Sequence, residues 1–578
     1  MKKTIRAAGA IAALGVLMAA CGGGSDYAAA PAPAPAPAPA EPTLPQLTAA
    51  VGASLKGSCT DLAGFTHAST TITAATEIAA GTLTVAGQPI AAHCRVTGRM
   101  HERVSPVDGQ TYAIGFEMRL PLAWNGRYYY QGNGGTDGSV STATGGTAAG
   151  TSNALHKGFA VISSDAGHNG AQNPSFGMDP QARVDYGYGA VQKLTPMAKA
   201  LIAAAYGKGP DRSYVGGGSN GGRHAMVTAA RFAADYDGVL AVAPGFNLPL
   251  AAAAQLYTAQ QFRKVATDPN NLATAFTQGE RNLVAAAILG KCDALDGVAD
   301  GLVNDVEACR TAFSLFNDVP TCPAARDDTC LTAAQKSAID AMYYGPVNSR
   351  GTPLYTTQPY DPGLAASGWA LWKFNFSVLL DPGAVGVIFQ VPPDPTVPAN
   401  ARNFAYNYNF DLDFPKLFAT NATYTENSLS FMTPPNPTKL DTLRDRGGKM
   451  IVVHGASDGV FSIDDTQRWY EALDRENGGK AAQFARFYRV PGMNHVSGGP
   501  ATDQFDALQA LVDWVEQGNT PDRIVAQARG AGNPAGVNAA LPAGWAADRT
   551  RPLCPHPLVA RYKGSGDIEK AENFTCAR

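Results

Sequence analysis

The chain carries little charge for its length. Of 578 residues 16% are charged, and 45 Lys+Arg against 48 Asp+Glu leave a formal net charge of −3. No basic block occurs, so the positive field that a phosphate backbone requires is missing, and nucleic acid is excluded as the main partner. Long hydrophobic runs are absent beyond the N-terminus, so no spanning helix is expected in the body of the chain. The nine cysteines include no CxxC pair, which argues against a thiolate metal site. What abounds is apolar or small: 45% hydrophobic residues and 62 glycines mark a globular α/β protein rather than a disordered one. The length exceeds a single hydrophobic core, which implies two domains or one large domain with an insertion.

Residues 1–21 read as a secretory leader: Lys2, Lys3 and Arg6 precede an Ala-rich run, Ala7 to Ala20, too short to span a bilayer. Leu17-Met18-Ala19-Ala20-Cys21 resembles a bacterial lipobox, in which Cys21 carries the lipid; ordinary cleavage is the alternative, because Met18 is not the commonest residue at its place. Residues 22–43 hold a Pro-Ala repeat, which favours extended polyproline geometry and suits a spacer from a membrane anchor. The expectation is an exported, monomeric, periplasmic or outer-membrane protein that meets the membrane only through that anchor. The remaining eight cysteines are even in number and suit disulfides in such a compartment. Sequence alone allows on the order of a hundred pairings. Closeness in the chain favours Cys59–Cys94, Cys292–Cys309, Cys322–Cys330 and Cys554–Cys576.

Short β-rich apolar runs recur at Arg127–Gln131, Phe159–Ser163, Tyr214–Gly217, Val239–Ala243, Met450–His454 and Phe487–Val490, and read as buried strands. Helical patterns lie between some of them, at Val191–Tyr206 for example. Another comes after the last, at Thr502–Gln517, with Phe505, Leu508, Leu511, Val512 and Val515 on one face. This rhythm predicts an α/β fold with an open, mostly parallel sheet covered on both sides. From about Pro249 to Leu440 the rhythm stops, and the segment is rich in Pro, Asn and aromatics. The expected division is a catalytic domain from residues 44–248 and 441–578, with a lid domain inserted at 249–440.

Gly217-Gly218-Ser219-Asn220-Gly221 matches G-x-S-x-G directly after a strand and before a helical stretch, Arg223 to Ala233. Such a turn lifts a serine hydroxyl out of the sheet at a helix N-terminus. Serine needs an imidazole to take its proton, and the imidazole needs a carboxylate to hold its tautomer. In the α/β-hydrolase order these come as Asp, then His, on loops after later strands. Asp458 follows the strand over Lys449–Gly455, and His495 follows Arg486–Val490, so Ser219, Asp458 and His495 form the expected triad. Asp464 and Asp465 are competitors for the acid, but look like the start of the next helix. His454, at a strand end, is expected to support the site or bind substrate. Asp165 and His168 either line the pocket or are structural. The backbone amides of Asn220 and Gly135, in the loop Gly132-Asn133-Gly134-Gly135, are the candidate oxyanion donors.

Cys292-Asp293-Ala294-Leu295-Asp296-Gly297-Val298-Ala299-Asp300-Gly301-Leu302 places three carboxylates in one short glycine-punctuated stretch. Asp293, Asp296 and Asp300 with the carbonyls of Val298 and Leu302 would suit Ca²⁺; a solvated acidic turn is the alternative. The ion's expected role is to brace the lid, since a serine triad needs no metal.

Several motifs together resemble the tannase and feruloyl esterase family. They are Trp124-Asn125-Gly126-Arg127, the Gly132–Ser139 loop, Phe176–Arg183, Gly217–Arg223, Cys292–Leu302, Arg444–Met450, Val490–Pro500 and Ala560–Asp567. The resemblance covers nearly all of the chain beyond the leader and spacer. It implies an α/β-hydrolase core, a large lid holding Ca²⁺, hydrolysis of aromatic-acid esters, and support for the four disulfides above. Two departures matter. Members usually carry a cysteine before the nucleophile and another after the catalytic histidine, joined as a disulfide; Gly218 and Val496 stand there. Members acting on mono(2-hydroxyethyl) terephthalate hold its free carboxylate with a lid arginine, whereas residues 351–401 contain no arginine and one lysine, Lys373. A desolvated carboxylate without a cation is costly. Feruloyl, galloyl or benzoyl esters are therefore expected before the terephthalate, held in an aromatic slot that Trp369, Trp372, Phe374 and Phe461 could form if they are not merely lid core. The rival from another class is a surface lipoprotein that uses the fold only for binding.

Overall fold

The computed structural model describes residues 44–146, 150 and 153–578. The leader, Cys21 and residues 22–43 lie outside the described residues, so the lipobox and spacer readings are not addressed by it. The described part enters a nine-stranded sheet through β1 (Thr70–Ile78), β2 (His93–Val104) and β3 (Thr111–Pro121), which pair antiparallel. Six strands then run parallel to one another: β4 (Arg127–Gly132), β5 (Ala160–Ser164), β6 (Arg212–Gly218), β7 (Gly238–Val242), β8 (Lys449–Gly455) and β9 (Ala485–Val490). The order across the sheet is β9-β8-β7-β6-β4-β5-β3-β2-β1.

All six parallel strands coincide with the apolar runs of the sequence. β5, β7 and β8 are buried along their whole length, as expected of strands covered on both faces. The antiparallel edge was not anticipated. Its first strand, Thr-Thr-Ile-Thr-Ala-Ala-Thr-Glu-Ile, is half exposed and too polar to register as an apolar run.

Alternate residues of each strand feed opposite layers. Tyr128, Tyr130, Ile162, Val215, Val239 and Val452 join one core with Leu194, Leu201 and Ile202 of α1 (Ala190–Tyr206). Tyr129, Val161, Tyr214, Leu240 and Val453 join the other with Leu508, Leu511, Val512 and Val515 of the C-terminal helix, Ala507–Gln517. This is an α/β-hydrolase architecture. Residues 249–440 contribute no strand to the sheet; their longest helices are α3 (Leu248–Arg263) and α4 (Gln278–Cys292), preceded in the chain by α2 (Asn220–Arg231). Residues 44–578 form one compact unit, with the inserted segment packed into it.

Four disulfides close short loops: Cys59–Cys94, Cys292–Cys309, Cys322–Cys330 and Cys554–Cys576, spanning 35, 17, 8 and 22 residues. They are the pairs that sequence proximity favoured. Among the described residues no helix is long and apolar enough to cross a membrane.

Candidate active site

Ser219 sits between the last residue of β6 and the first of α2, with φ 64° and ψ −128°. A non-glycine residue adopts that conformation only where its surroundings enforce it. Here the Ser219 amide donates to the Val242 carbonyl of β7 at 2.9 Å. The neighbours are small because β4 passes close by: a Cβ on Gly217 or on Gly221 would collide with the Gly132 carbonyl oxygen. The glycines of the motif are therefore a packing requirement.

Asp458 lies in the turn after β8 and His495 in the loop after β9. His495 Nε2 is 2.7 Å from Ser219 Oγ, and its Nδ1 is 2.7 Å from Asp458 Oδ2. Asp458 Oδ1 accepts the amides of Val460 and Phe461, each at 2.9 Å. Burial opposes its charge, but His495 and His454 outweigh burial and hold the carboxyl well below the usual carboxylate range. An ionised Asp458 keeps the Nδ1 proton of His495 and turns Nε2, as acceptor, toward the serine hydroxyl.

Gly135 and Asn220 line the cavity beside Ser219. Asn220 opens α2, so its amide has no partner within the helix and lies at the positive end of the helix dipole. The Gly135 loop is tied down on both sides. Asn133 Nδ2 donates to the Ser164 carbonyl at 2.7 Å, while Asp137 Oδ2 accepts Asn220 Nδ2 at 2.7 Å and lies 2.8 Å from His224 Nε2.

Most of the remaining wall is apolar, formed by Leu248, Ala252, Trp372, Leu380, Ala384, Phe389, Val460 and Phe461, and Thr136, Tyr186 and Asp381 complete it. Trp372 and Phe461 meet the His495 ring edge-on, with centroids 5.0 and 5.2 Å away. Two expected substrate contacts are corrected. His454 is fully buried behind Asp458, its Nε2 3.2 Å from Oδ2 and its Nδ1 2.9 Å from Thr466 Oγ1, so it braces the acid. Trp369 is buried against Phe262 and Phe374 and lies off the cavity wall; it is core of the inserted segment.

The competitors are all engaged elsewhere. Asp464 pairs with Arg310 and Asp465 accepts Asn247 Nδ2 at 2.8 Å, both in the first turn of a helix over Ile463–Glu476. Asp165 accepts the amides of Gly115 and Gly167, and burial pushes its carboxyl up to about 7. His168 stacks on Phe176 with its Nε2 2.9 Å from the Thr136 carbonyl, beneath the Gly135 loop. Gly218 pairs with Val242, and Val496 takes φ 66°. Asp361 was not legible in sequence. It comes from the inserted segment and accepts Ser457 Oγ at 2.5 Å and the Gly492 amide at 3.0 Å, joining the turns that carry Asp458 and His495. Asp137 and His224 were missed likewise, since their link depends on a loop folding back onto a helix.

In the acidic loop, Asp293 Oδ1 accepts the amides of Asp300 and Gly301, Asp296 Oδ2 accepts Asn304 Nδ2 at 2.6 Å, and Asp300 pairs with Arg551. As these side chains stand, no group of three or more His, Cys, Asp or Glu among the described residues is arranged to hold a metal. Their donor chemistry nonetheless fits a hard cation. Burial, and then the charges of Asp300 and Asp293, push Asp296 up to about 6, despite its bond to Asn304.

Fold and geometry together describe a hydrolase of the α/β type with a serine–histidine–aspartate constellation at the C-terminal ends of its parallel strands. The tannase and feruloyl esterase family model matches residues 94–577, and the chain belongs to that family. It is 39% identical over 549 residues to a mono(2-hydroxyethyl) terephthalate hydrolase of Piscinibacter sakaiensis, covering 88% of this chain and 89% of that one. A probable feruloyl esterase B of Emericella nidulans is 28% identical, with 80% and 83% covered. The crystal structure of feruloyl esterase B from Aspergillus oryzae superposes with a TM-score of 0.70 at 22% identity, covering 90% of this chain and 100% of that one. The protein is thus a carboxylic ester hydrolase.

Proposed function

We propose that the protein hydrolyses esters of aromatic acids by two-step acyl transfer through Ser219, His495 and Asp458. The observation that carries this reading is His495 bridging Ser219 Oγ and Asp458 Oδ2 at 2.7 Å on each side. His495 takes the serine proton as Oγ attacks the ester carbonyl, and Asp458 stabilises the imidazolium. The developing oxyanion meets the amides of Asn220 and Gly135; one such donor is typically worth about a hundredfold or more in kcat. His495 then protonates the leaving alcohol and activates the water that frees the acid. Trp372 and Phe461 supply the slot for the ring. Space open to a water-sized sphere is only about 30 Å³. A cavity of about 150 Å³ is needed to hold even a benzene ring, so the inserted segment acts as a lid that parts on binding.

The test is hydrolysis of methyl ferulate, methyl gallate, ethyl benzoate and mono(2-hydroxyethyl) terephthalate by the purified protein and by Ser219→Ala. The neutral esters should lead, and the variant should be inactive; substantial residual activity in the variant overturns the mechanism. Export is supported by the four disulfides. We propose Cys21 as the lipid attachment point, which the mass of the mature N-terminal peptide would reveal. Ca²⁺ is proposed between Asp293, Asp296 and Asp300, with the Val298 and Leu302 carbonyls; when bound it supplies charge balance to a buried acidic loop and no catalytic step.

A further inference from the structure

Among the described residues on the wall of the cavity beside Ser219, one alone is charged: Asp381. The acyl-transfer mechanism makes no use of it. The residue is 5% exposed, and its Oδ2 has no hydrogen-bond partner among the described residues. A buried carboxyl oxygen left without a partner is costly and calls for a group that restores the bond. Asp381 opens a short turn, Asp381–Gly383, between two wide helical turns at Leu371–Phe376 and Ala384–Phe389. Trp372, Ala384 and Phe389 of those turns share the same wall, so Asp381 stands among the side chains that would enclose an aromatic ring.

The balance of charge around the cavity points the same way. Among the described residues no lysine or arginine lies on this wall. Lys373 is buried but not on it, and burial pulls its ammonium down to about 7. Burial holds the Asp381 carboxyl well above the usual range, with the Lys373 charge opposing. A hydroxyl on the ring donates to an ionised Asp381 and either donates to or accepts from a neutral one, so it satisfies the carboxyl in both states. A ring carboxylate instead introduces a buried charge with no cation on the wall to balance it.

We propose that Asp381 is a specificity residue: its unpartnered oxygen takes the hydrogen bond of a ring hydroxyl on the acyl group. The preferred substrates are then esters of hydroxylated aromatic acids, and esters whose ring bears a second, ionised carboxyl are disfavoured. This rests on the aromatic-ester reading above.

The experiment compares kcat/KM of the full-length protein, Asp381→Leu and Asp381→Asn on methyl 4-hydroxybenzoate, methyl 3-hydroxybenzoate, methyl benzoate and monomethyl terephthalate. The quantity read is the ratio of each hydroxybenzoate to methyl benzoate within one enzyme. Loss of folded protein or of general activity cancels from it. A hydroxyl para to the carbonyl makes the ester intrinsically less reactive, so a ratio above one for that ester reports recognition. In the wild type at least one hydroxybenzoate should exceed methyl benzoate by about tenfold or more, and monomethyl terephthalate should be slowest. Asp381→Leu should bring the ratio to near unity, and Asp381→Asn, which keeps hydrogen-bonding capacity, should retain part of it. An unchanged ratio in Asp381→Leu, or a wild type that prefers monomethyl terephthalate, overturns the proposal. A wild type that cleaves none of the four esters, or Ser219→Ala cleaving them as well as wild type, overturns the underlying aromatic-ester reading instead.

Discussion

The two walls of the cavity are built by different means. On the sheet side, Ser219, Asp458 and His495 stand at the ends of parallel strands, and the first two are held by backbone. Ser219 bonds to β7, Asp458 receives two amides, and the glycines around the serine allow β4 to approach closely. On the inserted side, Trp372, Leu380, Asp381, Ala384 and Phe389 come from short helical turns and their connections, and one carboxyl oxygen there has no hydrogen-bond partner among the described residues. On the proposed mechanism, reaction chemistry rests on regular structure that tolerates little change, and substrate choice on irregular structure that can be repacked residue by residue. The division resembles that of other enzymes whose variable loops sit on a rigid scaffold.

Substitutions can break or sharpen this contrast. The largest effect belongs to the sheet side: Ser219→Ala should lower kcat by about ten-thousandfold or more with little change in stability, as steady-state kinetics beside thermal unfolding would show. Gly221→Ala should instead damage the fold itself, by about 1–3 kcal/mol in urea unfolding, because its Cβ meets the Gly132 carbonyl oxygen. On the inserted side Trp372→Ala should cost about tenfold in kcat/KM, mostly through KM, while leaving reaction with a small serine-directed phosphonate nearly intact. A phosphonate rate that collapsed with it would assign Trp372 to holding His495 and blur the distinction between the walls.

His454→Gln probes the support behind the acid. A loss of about threefold to tenfold in kcat with unchanged KM is expected, since Asp458 keeps His495 and two backbone amides. The smallest effect concerns the acidic loop, whose residues do not line the cavity. Asp296 is raised from 3.8 unfolded to about 6 folded, so folding takes up a proton between those values. Its contribution to stability therefore falls as the pH rises through that window and is a net cost above it. A bound cation would offset this cost. Adding Ca²⁺ to chelator-treated protein should raise the melting temperature by a few degrees at pH 7.5 and by less at pH 5. No shift at pH 7.5 would remove calcium from the loop.

The sequence by itself determined the parallel strands and the order Ser219–Asp458–His495, and it favoured the cysteine pairs without deciding them. Each is a local signal: an apolar run, a residue type just after a strand, a short separation. It did not determine the antiparallel edge, whose polar half-exposed first strand lacks such a run. Nor did it separate the roles of neighbouring side chains. His454 and Trp369 share segments with residues of the cavity, yet His454 faces the back of Asp458 and Trp369 the interior of the inserted segment. Asp361, Asp137 and Asp381 acquire their parts only when segments distant in the chain pack together. Local pattern marks where a buried strand lies and which residue stands at its end. Which buried carboxyl finds a partner, and which does not, is decided by contacts that exist only in the folded chain.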